Sequence, residues 1–150
     1  MANIEVDSRN VLKMFAELSN KNQKKVHRIA LAKALSILVK EARSTLKGVI
    51  RKSIYSKSKK TGRSLASGIK YRINKEATEG KAHILGDFRL KFFELGTKER
   101  YRKNGGKTGT IKASYFFRTA RQNKEALISS SMNNIISESI KRVNGKFKNR

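Results

Sequence analysis

Two histidines, a handful of carboxylates and one glycine-rich run are the residues whose types permit chemistry, and their spacing argues against it. His27 lies among lysines on a segment with helical periodicity, and His83 stands between Ala82 and Ile84 in an alternating segment. A metal site built on two imidazoles needs carboxylates brought close, and nothing in the spacing supplies them. Both are expected to be ordinary surface or hydrogen-bonded histidines. Asp87, Glu94, Lys98 and Glu99 invite comparison with a metal-dependent nuclease, which groups carboxylates around Mg²⁺. Leu95-Gly96-Thr97 separates Glu94 from Lys98, however, which is not the Glu-x-Lys spacing of restriction-type sites. Asn104-Gly105-Gly106-Lys107-Thr108 contains Gly-Lys-Thr, but a phosphate loop needs another glycine where Tyr101 stands, after a buried strand. With two histidines and no local signature, no Ser/His/Asp arrangement can be argued. The chain is therefore read as a non-enzyme, without catalytic residue, metal or cofactor.

Charge is the stronger signal. The 150 residues carry 36 Lys plus Arg against 11 Asp plus Glu, a formal charge of +25. Such an imbalance repels itself and calls for an anionic partner, nucleic acid first and an acidic protein surface second. The charge is clustered. No acidic residue lies between Glu41 and Glu76, while Arg43, Lys47, Arg51, Lys52, Lys57, Lys59, Lys60, Arg63, Lys70, Arg72 and Lys75 all fall there. A second group, Lys98, Arg100, Arg102, Lys103 and Lys107, sits among glycines. Phosphate neutralisation without sequence preference is the functional reading, and solvated faces that keep the protein soluble are the plain one. No helix-turn-helix, zinc finger or aromatic platform suggests base readout.

The elements that must carry these residues fit one domain over 1–150. Cysteine is absent, which excludes disulfides and thiolate metal sites. No apolar run approaches the roughly 18 residues of a membrane span, and the first residues do not read as a signal peptide, so synthesis in the cytoplasm is expected. Ile4 and Val6 suggest a short strand, and Val11, Leu12, Phe15 and Leu18 a short helix capped by Ser8. From about Gln23, Val26, Ile29, Ala30, Leu31, Ala34, Leu35, Leu38, Val39, Ala42 and Leu46 recur at three and four, which predicts a long helix. The period then changes to two. Ile69, Tyr71 and Ile73 predict a half-buried strand, Glu76 to Gly80 a turn, and Ala82 to Phe88 a second strand paired with the first. Residues 90–95 are apolar enough to be buried, as strand or helical turn. Gly96 to Thr110 reads as a long loop, mobile until bound. A last helix is predicted from Ser114 to Val143, irregular around Ser129 to Asn134, with 144–150 a mobile basic tail. The expected fold class is α+β: a short N-terminal helix, a long helix, a small antiparallel sheet and a C-terminal helix. With hydrophobic residues at 37%, part of the burial is expected from oligomer contacts.

Three stretches, taken in order, resemble one family. Thr61-Gly62-Arg63-Ser64-Leu65 with Gly68-Ile69, then Phe92-Phe93-Glu94-Leu95-Gly96-Thr97, then Ala113-Ser114-Tyr115-Phe116-Phe117-Arg118-Thr119-Ala120 are similar to the signature stretches of tail-component proteins of tailed phages. That family is related to the tail-completion protein Z of phage lambda and to tail-to-head joining proteins. The resemblance spans residues 23–143, including the long Ala-rich helix, and lacks prolines the family commonly has, with Ser114 and Thr119 standing at two such places. It implies a virion structural protein at the head–tail junction. Such a subunit would assemble into a ring, expected to be of six subunits, against neighbouring neck and tail proteins. Thr61, Gly62, Glu94, Gly96, Thr97 and Phe117 would be its structural motif residues. Lys57, Lys59, Lys60, Arg63, Arg100, Arg102 and Lys103 are the candidates for contact with double-stranded DNA or a partner. The alternative function is a non-specific nucleic-acid-binding protein. Independently of the family, Gly62 and Gly96 suit turns with positive φ. Glu94, behind two aromatics, is expected to be partly buried and to need a cation, Arg63 or Arg118.

Overall fold

A computed structural model describes residues 20–50 and 63–148, with side chains through 142. The predicted N-terminal strand and short helix lie outside the described residues. The remainder is α+β, in the predicted order of long helix, strands and C-terminal helix. Helix α1 spans Asn20–Val49, a 3-10 turn spans Leu65–Gly68, and strands β1 (Lys70–Ile73) and β2 (Gly80–His83) pair in a small antiparallel sheet. Helix α2 is Arg89–Leu95, strands β3 (Arg100–Tyr101) and β4 (Lys107–Gly109) form a second sheet, and helix α3 is Phe116–Lys148.

The structure divides into two compact units, and both long helices contribute to each. One unit comprises, among the described residues, 20–37, 71–81 and 124–148. Val26, Ala30 and Ala34, one α1 stripe at a spacing of four, are buried there, as are Ala77 and Ile140. Its turn is tied to α1 by polar contacts. Lys24 pairs with Glu76 at 2.9 Å, and the Arg28 guanidinium donates to the carbonyls of Lys75 (2.9 Å) and Asn74 (3.3 Å). Asn74 closes the turn itself: its Oδ1 accepts the Thr78 and Glu79 amides at 2.9 and 3.1 Å.

The other unit comprises 38–50, 63–70 and 82–123 among the described residues, and it holds the larger core. Val39, Ala42, Leu46 and Ile50 continue the α1 stripe against Leu65, Ala66, Ile69, Leu90, Phe116 and Ala120. Two glycines set how closely its segments approach. The Gly86 amide donates to the Gly68 carbonyl at 3.1 Å, and a Cβ on Gly86 would stand 2.6 Å from that oxygen. The second strand ends at His83, short of the predicted Phe88.

Several expectations change. Ile69 is fully buried but precedes the strand, whereas Tyr71 is exposed and Ile73 half-buried; a two-stranded ribbon covers little of either face. Residues 89–95 are a helix. The long loop contains the β3–β4 hairpin. Helix α3 begins at Phe116 and stays regular through 129–134, where Ser129 and Ser130 hydroxyls donate to the Glu125 and Leu127 carbonyls instead of interrupting the helix. The helical backbone runs to Lys148, beyond the predicted end at Val143.

Candidate functional site

Residues 92–97 and 113–120 meet at one junction in the larger-core unit. Helix α2 places Leu90 and Phe93 toward the core and ends at Gly96, whose amide donates to the Phe92 carbonyl at 2.9 Å. Gly96 has φ +75° and ψ −178°, a conformation that L side chains rarely adopt. A Cβ there would lie 2.9 Å from both the Ala113 nitrogen and the Ile111 oxygen. Thr97 then clasps Ile111 twice: its amide donates to the Ile111 carbonyl, and its Oγ1 accepts the Ile111 amide, each at 2.9 Å.

Glu94 is half-buried, as expected, but its partner is not a cation. Its Oε2 accepts the Phe117 amide at 2.8 Å and its Oε1 the Arg118 amide at 3.2 Å. The carboxylate thus caps the first turn of α3, satisfying two otherwise orphaned donors at the positive end of the helix dipole. Arg118 takes part through its backbone, and among the described residues neither Arg63 nor Arg118 forms an ion pair with Glu94. The approach to the helix is fixed as well. The Ser114 amide and Oγ both donate to the Phe93 carbonyl, at 2.9 and 2.7 Å, and the Tyr115 amide donates to the Glu94 carbonyl at 3.1 Å. Tyr115 turns the chain with φ +48°. Phe116 is fully buried, and Phe117 is half-buried and packs on the edge of the core.

Between the two halves of this junction the chain forms the basic hairpin. All residues from Lys98 to Thr110 are exposed. Tyr101 pairs with Lys107 and Arg100 with Gly109, with an irregularity between them. The tip is closed by the Arg102 amide on the Gly106 carbonyl (2.8 Å) and the Gly105 amide on the Arg102 carbonyl (2.9 Å), with Gly105 at φ +79°. The hairpin's one acid, Glu99, is occupied. It pairs with Lys107 Nζ at 3.1 Å and accepts the Tyr101 hydroxyl at 3.0 Å. Lys98, Arg100, Arg102 and Lys103 have no carboxylate partner among the described residues. The arrangement offers cations that could meet phosphates of a polyanion.

Of the other predicted contact residues, Arg63 is described and exposed, while Lys57, Lys59 and Lys60, with Thr61 and Gly62, lie outside the described residues. Arg43, counted in the same basic run, has a structural job: its half-buried guanidinium donates to the Ile69 carbonyl at 3.0 Å. Sequence reasoning missed Ile111 and the Gly68–Gly86 crossing. Glycine at both positions was a visible signal for the latter; nothing local marks Ile111. Among the described residues, no group of three or more His, Asp or Glu side chains could hold a metal ion.

The chain matches no protein-family model, and neither a curated protein nor a solved structure is significantly similar to it.

Proposed function

We propose that the protein is a structural subunit of a tailed-phage neck or tail-completion ring, joining head to tail in the virion by protein–protein assembly. The observation that carries this reading is the junction. The two signature-like stretches, about twenty residues apart in sequence, do one job together. Glu94, Gly96 and Thr97 position the start of α3, and the basic hairpin is presented between them. The test is reconstruction of virions of the phage that encodes the chain. The expected result is a closed ring, of six copies, between head and tail; copies found singly and away from the neck would sink the proposal.

The hairpin favours a second reading, a non-specific nucleic-acid-binding protein. Combined charge reversal of Arg100, Arg102 and Lys103 separates the two when ring incorporation and DNA retention in filled heads are scored apart. A neck subunit whose hairpin faces DNA keeps the ring and loses retention. Binding of duplex DNA by wild-type protein, with no ring in the virion, favours the second reading.

A further inference from the structure

Helix α2 is apolar on two opposite faces. With about 100° per residue, Leu90 and Phe93 point one way, into the core, while Phe88, Phe92 and Leu95 share the other side at spacings of four and three. That second stripe is open. Phe88 is 72% and Leu95 58% exposed, Phe92 is half-buried, and Phe88 and Phe92 meet edge to face at 5.9 Å. Leu85, just before the helix, is 77% exposed. Isolated exposed apolar residues need no explanation, but an aromatic pair extended into a stripe does.

The rim of the stripe is basic. Lys91 flanks it on α2, and past Leu95 a shallow groove carries Lys98 and Lys112 at its edge. On the other flank Arg89 and Asp87 neutralise each other, the guanidinium donating to both carboxylate oxygens at 2.9 and 2.6 Å. A second copy of this chain is a poor occupant. Stripe on stripe would oppose lysine to lysine. Elsewhere, Glu76, Glu79 and Glu99 are each paired with a lysine of the same chain, and Glu94 caps α3.

We infer that the Phe88–Phe92–Leu95 stripe is the docking surface for an acidic amphipathic segment of a different protein, whose apolar residues cover the stripe and whose carboxylates meet its basic rim. The apolar contact would supply affinity, and the rim would select against basic surfaces. The inference does not depend on where the protein works.

The test uses the full-length chain and two amphipathic helical peptides with the same apolar face, one carrying Glu and the other Lys at every polar position, followed by fluorescence anisotropy near physiological salt. The acidic peptide is expected to bind at least about tenfold more tightly than the basic one. Phe88→Ser with Leu95→Ser should weaken it at least about tenfold while circular dichroism stays unchanged. Arg100→Glu with Arg102→Glu, on the hairpin, should change it less than about threefold. Equal loss from the hairpin pair would make the binding general electrostatics and overturn the proposal. So would self-association in sedimentation that Phe88→Ser with Leu95→Ser abolishes, which would give the stripe to a second copy. Removal of residues 1–19 that tightens peptide binding more than about tenfold would give the stripe to the chain's own N-terminal segment and overturn the proposal as well.

Discussion

Glu94 shows how a single carboxylate organises a junction. Its two oxygens serve two amides at the start of a 33-residue helix, so its removal leaves donors exposed at the positive end of the dipole. Glu94→Ala should cost about 1–2 kcal/mol in urea unfolding, and Glu94→Gln, which keeps one acceptor, less. Unchanged stability in the alanine variant would refute the capping role. Asp87 supplies the titrating counterpart. The hydrogen-bonded Arg89 guanidinium holds its carboxyl below the usual carboxylate range, against the burial that pushes it up. The folded value lies below the unfolded one, so Asp87 contributes stability above the unfolded value, near 4, and the contribution is lost as pH falls through the folded value. Asp87→Asn should therefore be less stable than wild type at neutral pH, with the gap closing in acid. A gap that is constant from pH 7 to pH 2 would show that the pair is not its source.

At the scale of elements, the hairpin and its anchor separate cleanly. Every residue from Lys98 to Thr110 is exposed, so the β3–β4 hairpin buries little of its own. The anchor is Thr97 on Ile111 and Gly96 against Ala113. Replacing residues 99–109 by a short Gly-Ser turn, with Thr97 and Ile111 kept, should leave the melting temperature within a few degrees and weaken polyanion binding. Thermal scans together with duplex binding check this. A loss of cooperative unfolding would mean that the hairpin stabilises the core after all. Helix α2 has the opposite economy. Seven residues serve the core, the helix cap and an open apolar stripe at once, which explains why a segment so short is so apolar.

For the whole molecule, charge dominates. A chain of +25 repels itself, and each anion contact it makes releases counterions. Affinity for duplex DNA should fall steeply with salt and vary little with sequence. Each phosphate contact contributes a slope of about −0.9 in log affinity against log salt. Combined reversal of Arg100, Arg102 and Lys103 should flatten the slope by about 2–3 if all three touch phosphate. A slope that does not move would assign these residues to an acidic protein instead. Such a partner is also salt-sensitive, so the change in slope, more than salt sensitivity itself, decides between them.

The sequence by itself determined the α+β class, a long helix from about Gln23, the existence of the first hairpin and the basic clustering, because each leaves a periodic or compositional trace within a short window; the helix start at Asn20 and the second strand at Gly80–His83 were not read. Spacings of three and four at Val26, Ala30 and Ala34 report one buried stripe, and the change to alternation at Ile69 reports a new geometry. Residues 90–95 were ambiguous, because a short apolar run satisfies helix and strand alike; the two-sided exposure of α2 could be read only once it was packed. Tertiary structure alone decided the partner of Glu94. A buried carboxylate needs compensation, and a cation is the usual guess, but the compensating amides stand 23 and 24 residues away in sequence. The same holds for Thr97 on Ile111. Contacts at that separation depend on where a turn such as Tyr115 sends the chain, and no local pattern of residue types records that direction.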